Sequence, residues 1–279
     1  MNIRIRLDNV YRLANTYVQE DKGGNKVNTV LLDKQDGIAL VTLNRPSVRN
    51  AISFEMIEEL DVCLDELASD KEVKVLIFTG AGDKAFVSGG DLDQFLSVRT
   101  KDKSYPMLMR VARLLSKIDR YPKPTIAMMN GAAIGGGCEF AAACRFRIAS
   151  DKARMGFVQI GMHIITGWGS GTRLMEKIGT NNALELLLTG ELFDAAYGKE
   201  IGFIDRVFPH EALHDEVMKF AGRIADKPLA GIEAYMKIAK MVDSGLAGEV
   251  CIEEEIDLCS SLWGSEAHYG VVQKFLQKK

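Results

Sequence analysis

Asn130-Gly131-Ala132-Ala133-Ile134-Gly135-Gly136-Gly137-Cys138-Glu139-Phe140 is the stretch from which the rest of the chain is read. It follows an apolar, strand-like run, Thr125 to Met129, and leads into a helical pattern from about Gly136 to Cys144. Glycines at such a junction let the backbone turn tightly. They also leave amide N–H groups uncovered at a helix N-terminus, where partial positive charge favours an anion or a developing oxyanion. Glu139 falls in the first helical turn, within reach of whatever those amides hold. Taken alone, the stretch reads equally well as a tight strand–helix turn with a capping glutamate.

Outward from this junction, short β-rich runs alternate with amphipathic helical stretches. Thr29 to Leu32 and Ile38 to Leu43 read as a hairpin around Gln35-Asp36-Gly37. Ser53 caps a helix carrying Met56, Leu60 and Leu64, and Val73 to Phe78 is a buried strand ending at Thr79-Gly80. A helix from about Tyr105 to Ile118 is stopped by Tyr121-Pro122-Lys123-Pro124, and Phe146 to Ala149 is again strand-like. After Thr172 the pattern turns helical, and from Pro228 it is almost entirely so. Strand–helix alternation followed by a helical tail predicts an α/β core with a C-terminal helical subdomain. The expected divisions are an extension over 1–27, which forms a short helix or an arm, a core over 28–225 and a helical subdomain over 226–279. No internal repeat is visible.

Composition excludes several classes. The 279 residues are 47% hydrophobic and 26% charged, with a net charge of −3, so no basic field attracts nucleic acid in general. The 5 cysteines lack C-x-x-C spacing and read as reduced thiols. No H-x-x-x-H pair suggests a metal, and no apolar run approaches the roughly 18 residues of a membrane span. The mixed, charged N-terminus has no apolar signal core. A cytoplasmic protein with neither nucleic acid nor membrane as partner is the expectation.

Two further constellations accompany the glycine run. Lys84-Ala85-Phe86-Val87-Ser88-Gly89-Gly90-Asp91-Leu92 follows a strand end, and there Gly90 could expose a second amide, although a polar loop with ordinary turn glycines describes it as well. Gly167-Trp168-Gly169-Ser170-Gly171-Thr172-Arg173-Leu174 lacks the spacing of a nucleotide fingerprint and reads as a flexible loop walling a pocket. G-x-S-x-G is absent, which argues against a serine-hydrolase elbow.

Taken together, Asn44-Arg45-Pro46 … Asn50-Ala51, Ala85-Phe86-x-Ser88-Gly89-Gly90-Asp91-Leu92, Asn130-Gly131-x4-Gly136-Gly137-Cys138-Glu139, Gly167-x-Gly169-x3-Arg173-Leu174 and Gly202-Phe203-Ile204-Asp205-Arg206-Val207 resemble the crotonase (enoyl-CoA hydratase/isomerase) superfamily. The resemblance runs from about residue 28 to the end of the chain. It implies a crotonase-like spiral of ββα turns, a C-terminal helical trimerisation subdomain, and homotrimers or dimers of trimers. It also implies an acyl-CoA thioester as substrate, with no cofactor beyond the coenzyme A that the substrate carries. By position, the backbone amides of Gly90 and Gly136 would form the oxyanion hole and Glu139 would be the acid–base group. Arg45, Arg49, Ala51, Lys84, Phe86, Ser88, Asp91 and Trp168 fall on the substrate-binding segments, with Arg45, Arg49 or Lys84 facing coenzyme A phosphates. Lys278 and Lys279 would approach a phosphate, on the same or a neighbouring subunit.

The chain departs from the water-adding pattern of the family at one position. Gln159 stands where hydratases carry a second glutamate, and an amide is no general base near neutral pH. The run Phe157-Val158-Gln159-x2-Met162-x-Ile164-Ile165-x2-Trp168-Gly169 is most similar to the ethylmalonyl/methylmalonyl-CoA decarboxylase-like branch. Decarboxylation or double-bond isomerisation, each needing one carboxyl group, is therefore expected ahead of hydration. Gln159 would at most orient a water. Glu139 would then have a pKa raised by burial against Phe140, Phe157, Met162 and Trp168. His163 either contacts a substrate carboxylate or supplies a proton, as a catalytic residue, or is a solvated or packing histidine, and Arg145 either pairs with an acidic side chain or alters a subunit contact. The remaining histidines, His210, His214 and His268, read as surface. Two rival readings are a non-catalytic crotonase-fold binding protein and an enzyme acting on acyl carrier protein thioesters.

Overall fold

A computed structural model describes residues 19–20 and 26–277. Six strands form one sheet, in the order Arg206–Phe208, Phe146–Ser150, Thr125–Met129, Val75–Gly80, Ile38–Leu43, Val30–Gln35. All neighbours are parallel except the Val30–Gln35/Ile38–Leu43 hairpin, whose tight turn is made by Asp36 (φ 51°) and Gly37 (φ 79°). Two consecutive positive φ values match the right-handed twist of the strands they join. A second sheet has four short strands, in the order Phe193–Asp194, Arg154–Gly156, Ala132–Ile134, Ala85–Val87.

The chain visits the large sheet, then the small one, then a helix, and repeats this three times. Val75–Gly80 leads to Ala85–Val87, Thr125–Met129 to Ala132–Ile134, and Phe146–Ser150 to Arg154–Gly156, with a helix after each pair. The repeating unit leaves no periodic signature in the sequence, because the small-sheet strands are only three residues long. That is why all three are missed. The expected polar loop at Lys84–Leu92 contains a fully buried strand, and the glycine-rich turn contains Ala132–Ile134.

The central strands Val75–Gly80 and Thr125–Met129 are buried on both faces, as parallel strands covered on both sides must be, whereas the edge strand Val30–Gln35 is mostly exposed. Val75, Ile77, Ile126, Met128 and Ile148 pack on Leu213, Val217 and Ala221 of the Leu213–Ala225 helix. Leu76, Phe78, Ala127 and Met129 face the other way, into the cluster containing Phe86 and Phe140. Phe140 meets Phe78 and Phe86 edge-on, at centroid separations of 5.3 and 5.8 Å. The Glu139 helix is thereby wedged between the sheets.

Beyond residue 228 the helices Leu229–Asp243, Gly248–Trp263 and Glu266–Leu276 follow one another. The first buries Ile232 and Met236, the second buries Cys251, and the third buries none. Arg145 forms an ion pair with Asp243, which ties this region to the core. The Gln19–Glu20 and Lys26–Val27 pairs meet as an antiparallel ladder; otherwise the 1–27 extension, like Lys278 and Lys279, lies outside the described residues.

Candidate active site

Two asparagines, the buried Asn50 and the partly buried Asn130, tie together the loops that carry the site. Asn50, in a left-handed conformation (φ 58°), accepts from Arg45 N at 3.0 Å and donates to Ala81 O and Ala85 O at 3.0 and 2.8 Å. Asn130 donates to Gly80 O and Gly82 O at 2.8 and 2.7 Å. These bonds clamp the 44–52, 80–90 and 130–137 segments against each other.

The clamp leaves two amides free. Ile52 N donates to Gly89 O at 2.8 Å and Asp91 N donates to Ile52 O at 2.9 Å, so the Gly90 N–H between them points away. Gly136 is the first residue of the Gly136–Ala143 helix and has no intrahelical acceptor. Neither amide donates a hydrogen bond among the described residues. A Cβ built on Gly89 (φ 111°) would lie 3.6 Å from Gly136 N, so the Gly89-Gly90 and Gly136 segments meet. Glycine is obligatory at 137, where a Cβ would lie 1.9 Å from Val87 O. Rings also pack against both glycines: a Cβ on Gly90 would lie 2.4 Å from Phe95 Cε2, and one on Gly136 would lie 2.1 Å from Trp168 Cζ3.

Glu139 is 2% exposed. Its Oε1 accepts from Gln159 Nε2 at 2.9 Å, and its Oε2 accepts from Trp168 N at 2.9 Å and Ser170 N at 3.4 Å. Ser170 opens the Ser170–Ile178 helix, so the carboxylate sits at that helix's positive end. Burial pushes the Glu139 pKa above the ordinary carboxylate range, and the hydrogen bonds oppose the rise only in part. Beside it, burial pushes the Cys138 thiol up to about 12.

Several expectations are corrected here. The Gly167–Ser170 segment is no flexible loop: Trp168 and Ser170 are buried, and Ser170 Oγ also donates to Glu139 O at 3.1 Å. Arg173 Nη1 holds Trp168 O at 2.9 Å from behind. Met162 is 52% exposed and does not enclose Glu139. Arg45 is not free for a phosphate, because its guanidinium pairs with Asp91 at 2.7 Å and donates to Ala51 O at 2.8 Å, with both charged side chains about nine-tenths buried. Asp91 is thus Arg45's counter-ion and the N-cap of the Leu92–Phe95 turn. Phe86 is a core residue. Ser88 Oγ donates to Val48 O at 3.2 Å, while Arg49, Lys84 and His163 are exposed. Arg145 pairs with an acidic residue, as one of its two readings had it. His210, read as surface, is half-buried with Nδ1 3.2 Å from Ser150 Oγ.

Ser170 and Phe95 are the site residues that sequence reasoning missed. Neither carries a local signal: Ser170 is the first helical residue after an N-cap glycine and caps nothing, so its contact with Glu139 arises only in the fold.

A family model described as Enoyl-CoA hydratase/isomerase matches residues 33–279. A short-chain-enoyl-CoA hydratase of Clostridium acetobutylicum is 30% identical over 258 residues, which cover 91% of this chain and 97% of that one. A crotonyl-CoA hydratase of Syntrophomonas wolfei is 36% identical over 200 residues, 71% of this chain and 76% of the relative. The crystal structure of an enoyl-CoA hydratase from Bacillus anthracis superposes with a TM-score of 0.84 at 27% identity, covering 90% of this chain and 97% of the other. The chain belongs to the enoyl-CoA hydratase/isomerase family, and its fold is that of the crotonase superfamily.

Proposed function

We propose that this member of the enoyl-CoA hydratase/isomerase family turns over an acyl-CoA thioester through an enolate, with Glu139 as its single acid–base group. The thioester oxygen would accept from the Gly90 and Gly136 amides, which are unpaired among the described residues and lie on segments that meet. Donors fixed in advance act where charge develops, and one such donor is worth about 10²–10³ in rate. Among the described residues, exposed Arg49 and Lys84, on loops tied together by Asn50, are the candidates of the sequence reading that remain free to meet coenzyme A phosphates.

The single observation behind the choice of reaction is the pair at the centre: one buried carboxyl group with a carboxamide, Gln159, hydrogen-bonded to it. In a decarboxylation, the C–C bond electrons pass to the α-carbon and thioester oxygen as CO2 leaves. Protonated Glu139 then supplies one proton to the α-carbon. In an isomerisation, ionised Glu139 removes a proton from the α-carbon of a 3-enoyl group and returns it at the γ-carbon. Burial raises the Glu139 pKa and so favours the protonated form that the decarboxylation uses.

Hydration is the second reading. It is favoured by the unpartnered Gln159 Oε1, which can accept from a water, and by the hydratase names of the relatives. Crotonyl-CoA, a 3-enoyl-CoA and ethylmalonyl-CoA separate these outcomes. Turnover of either of the last two supports a one-carboxyl reaction. Fast crotonyl-CoA hydration that Glu139→Gln abolishes, with the others untouched, replaces it by hydration.

Assembly into homotrimers or dimers of trimers is part of the same proposal. The last two helices expose Val250, Ile256, Trp263 and Val271, an apolar surface of the kind a second copy covers.

A further inference from the structure

We propose that Gln159 is the specificity-determining residue of this site, its carboxamide linking the protonation of Glu139 to the hydrogen-bonding character of the acyl group. The proposal rests on the acyl-CoA reading and goes on to say which acyl groups are received in which state.

The two halves of the Gln159 carboxamide have different surroundings. Nε2 donates to Glu139 Oε1 at 2.9 Å. Oε1 is buried and has no hydrogen-bond partner, although the residue is only 8% exposed. A buried acceptor left unpaired is a cost that a folded protein normally avoids. Gln159 also lines a cavity of ≈ 390 Å³, within the usual size range of small-molecule sites. Phe157, Ile164, Ile165, Met175 and Leu187 supply apolar walls, and among the described residues the polar lining side chains besides Gln159 are Thr166 and Thr172. Gly169 lines the same cavity, between the two residues whose amides hold Glu139 Oε2. The carboxamide therefore stands between the acid–base group and the space available to an acyl substituent.

Its orientation follows from the valence of its neighbour. An ionised carboxylate only accepts, so Nε2 faces Glu139 and the oxygen is left for a donor on the ligand, such as a hydroxyl. A protonated Glu139 carries one O–H. It can donate that hydrogen to Gln159 once the amide has rotated by half a turn, a change that leaves the side chain's shape unaltered. Oε1 is then satisfied and the NH2 group faces the ligand, offering two N–H donors to an acceptor such as a carboxylate. The same proton removes the like-charge repulsion between Glu139 and that carboxylate. A carboxylate-bearing acyl group would thus bind with one proton taken from solvent onto Glu139, the proton that the α-carbon needs after CO2 leaves. A hydroxyl-bearing group would bind with Glu139 ionised, in its base form.

The other titratable groups packed around this pair do not substitute for it. The Cys138 thiol on the Glu139 helix is neutral, its pKa pushed to about 12 by burial. His163, on the Gln159 segment, is exposed. Arg173, behind Trp168, is held by Trp168 O and pairs with Asp119 at 3.5 Å.

The test uses two unreactive thioether analogues of equal chain length, a carboxyalkyl-CoA and a hydroxyalkyl-CoA, with Kd measured by calorimetry from about pH 6 to about pH 9. The ratio of the two affinities cancels titration of coenzyme A itself. In the wild type the ratio should shift toward the carboxyalkyl analogue as pH falls, with about one proton taken up per carboxyalkyl bound. Glu139→Gln should mimic the protonated state, since its NH2 forces Gln159 to turn, and should prefer the carboxyalkyl analogue at every pH. Gln159→Met should leave hydroxyalkyl binding independent of pH relative to coenzyme A alone. A wild-type hydroxyalkyl affinity with no pH dependence of its own, or a Glu139→Gln variant that favours the hydroxyalkyl analogue, overturns the proposal. Failure of both analogues to bind the wild type overturns the acyl-CoA reading itself, and this proposal with it.

Discussion

Replacing Glu139 by glutamine separates catalysis from folding. The single oxygen of the new amide can take the Oε2 position, where Trp168 N and Ser170 N already converge at 2.9 and 3.4 Å. Its NH2 then faces Gln159, which turns and offers the Oε1 that is unpartnered in the wild type. One orphaned acceptor is satisfied and a buried ionisable group becomes neutral, while the Gln159 NH2 gives up its bond to Glu139 and faces the cavity. The variant should therefore lie within about 1 kcal/mol of the wild type near neutral pH. Turnover should fall by about 10²–10⁴, the usual share of a general acid–base. The raised pKa fixes the pH dependence: Glu139 contributes its stability below its unfolded pKa and loses it as pH rises through the folded one. The stability of the variant relative to the wild type is accordingly greatest at high pH and falls as the wild-type carboxyl protonates. Urea denaturation at several pH values, alongside turnover of the best wild-type substrate, checks both halves. A stability loss above about 2 kcal/mol would show that the carboxylate is a structural necessity, and turnover within about tenfold of wild type would remove Glu139 from the chemistry.

Further outcomes follow from the same geometry. Gly136→Ala places a methyl group 2.1 Å from Trp168 Cζ3, displacing the residue whose amide holds Glu139, and should lower kcat by about 10²–10³ with the fold retained by circular dichroism. Asp91→Ala strands the Arg45 guanidinium, whose side chain is 10% exposed, and should cost about 3–5 kcal/mol in chemical denaturation; a loss below about 1 would mean that water reaches the pair freely. Gln159→Glu puts a second carboxyl group at hydrogen-bonding distance from Glu139, so one proton is shared, and crotonyl-CoA hydration should appear or rise in a stopped assay. Trp263→Arg on the exposed helical face should shift the mass measured by light scattering from an assembly toward a monomer.

Much of this architecture is legible before folding is considered, for identifiable reasons. The Thr125–Met129 strand and the Gly136–Ala143 helix are bounded by glycines and prolines, whose backbone restrictions are local. The Asp36-Gly37 turn is legible for the same cause. Three-residue strands such as Ala85–Val87 carry too few residues for a period to show, and their pairing partners lie far along the chain. Arg45 misleads because exposure is the usual fate of arginine, and only the folded chain brings Asp91 against it.

By itself the sequence determined the glycines that permit the strand–helix turn, the placement of Glu139 in the first turn of that helix, and the presence of an amide at Gln159. Each is a property of neighbouring residues or of residue type. Tertiary structure alone decided that the Gly90 and Gly136 segments meet, that Trp168 and Ser170 close over Glu139, and that one Gln159 atom is bonded while the other is not. Those outcomes depend on contacts between distant segments and on removal from water, and neither is encoded in any single stretch of the chain.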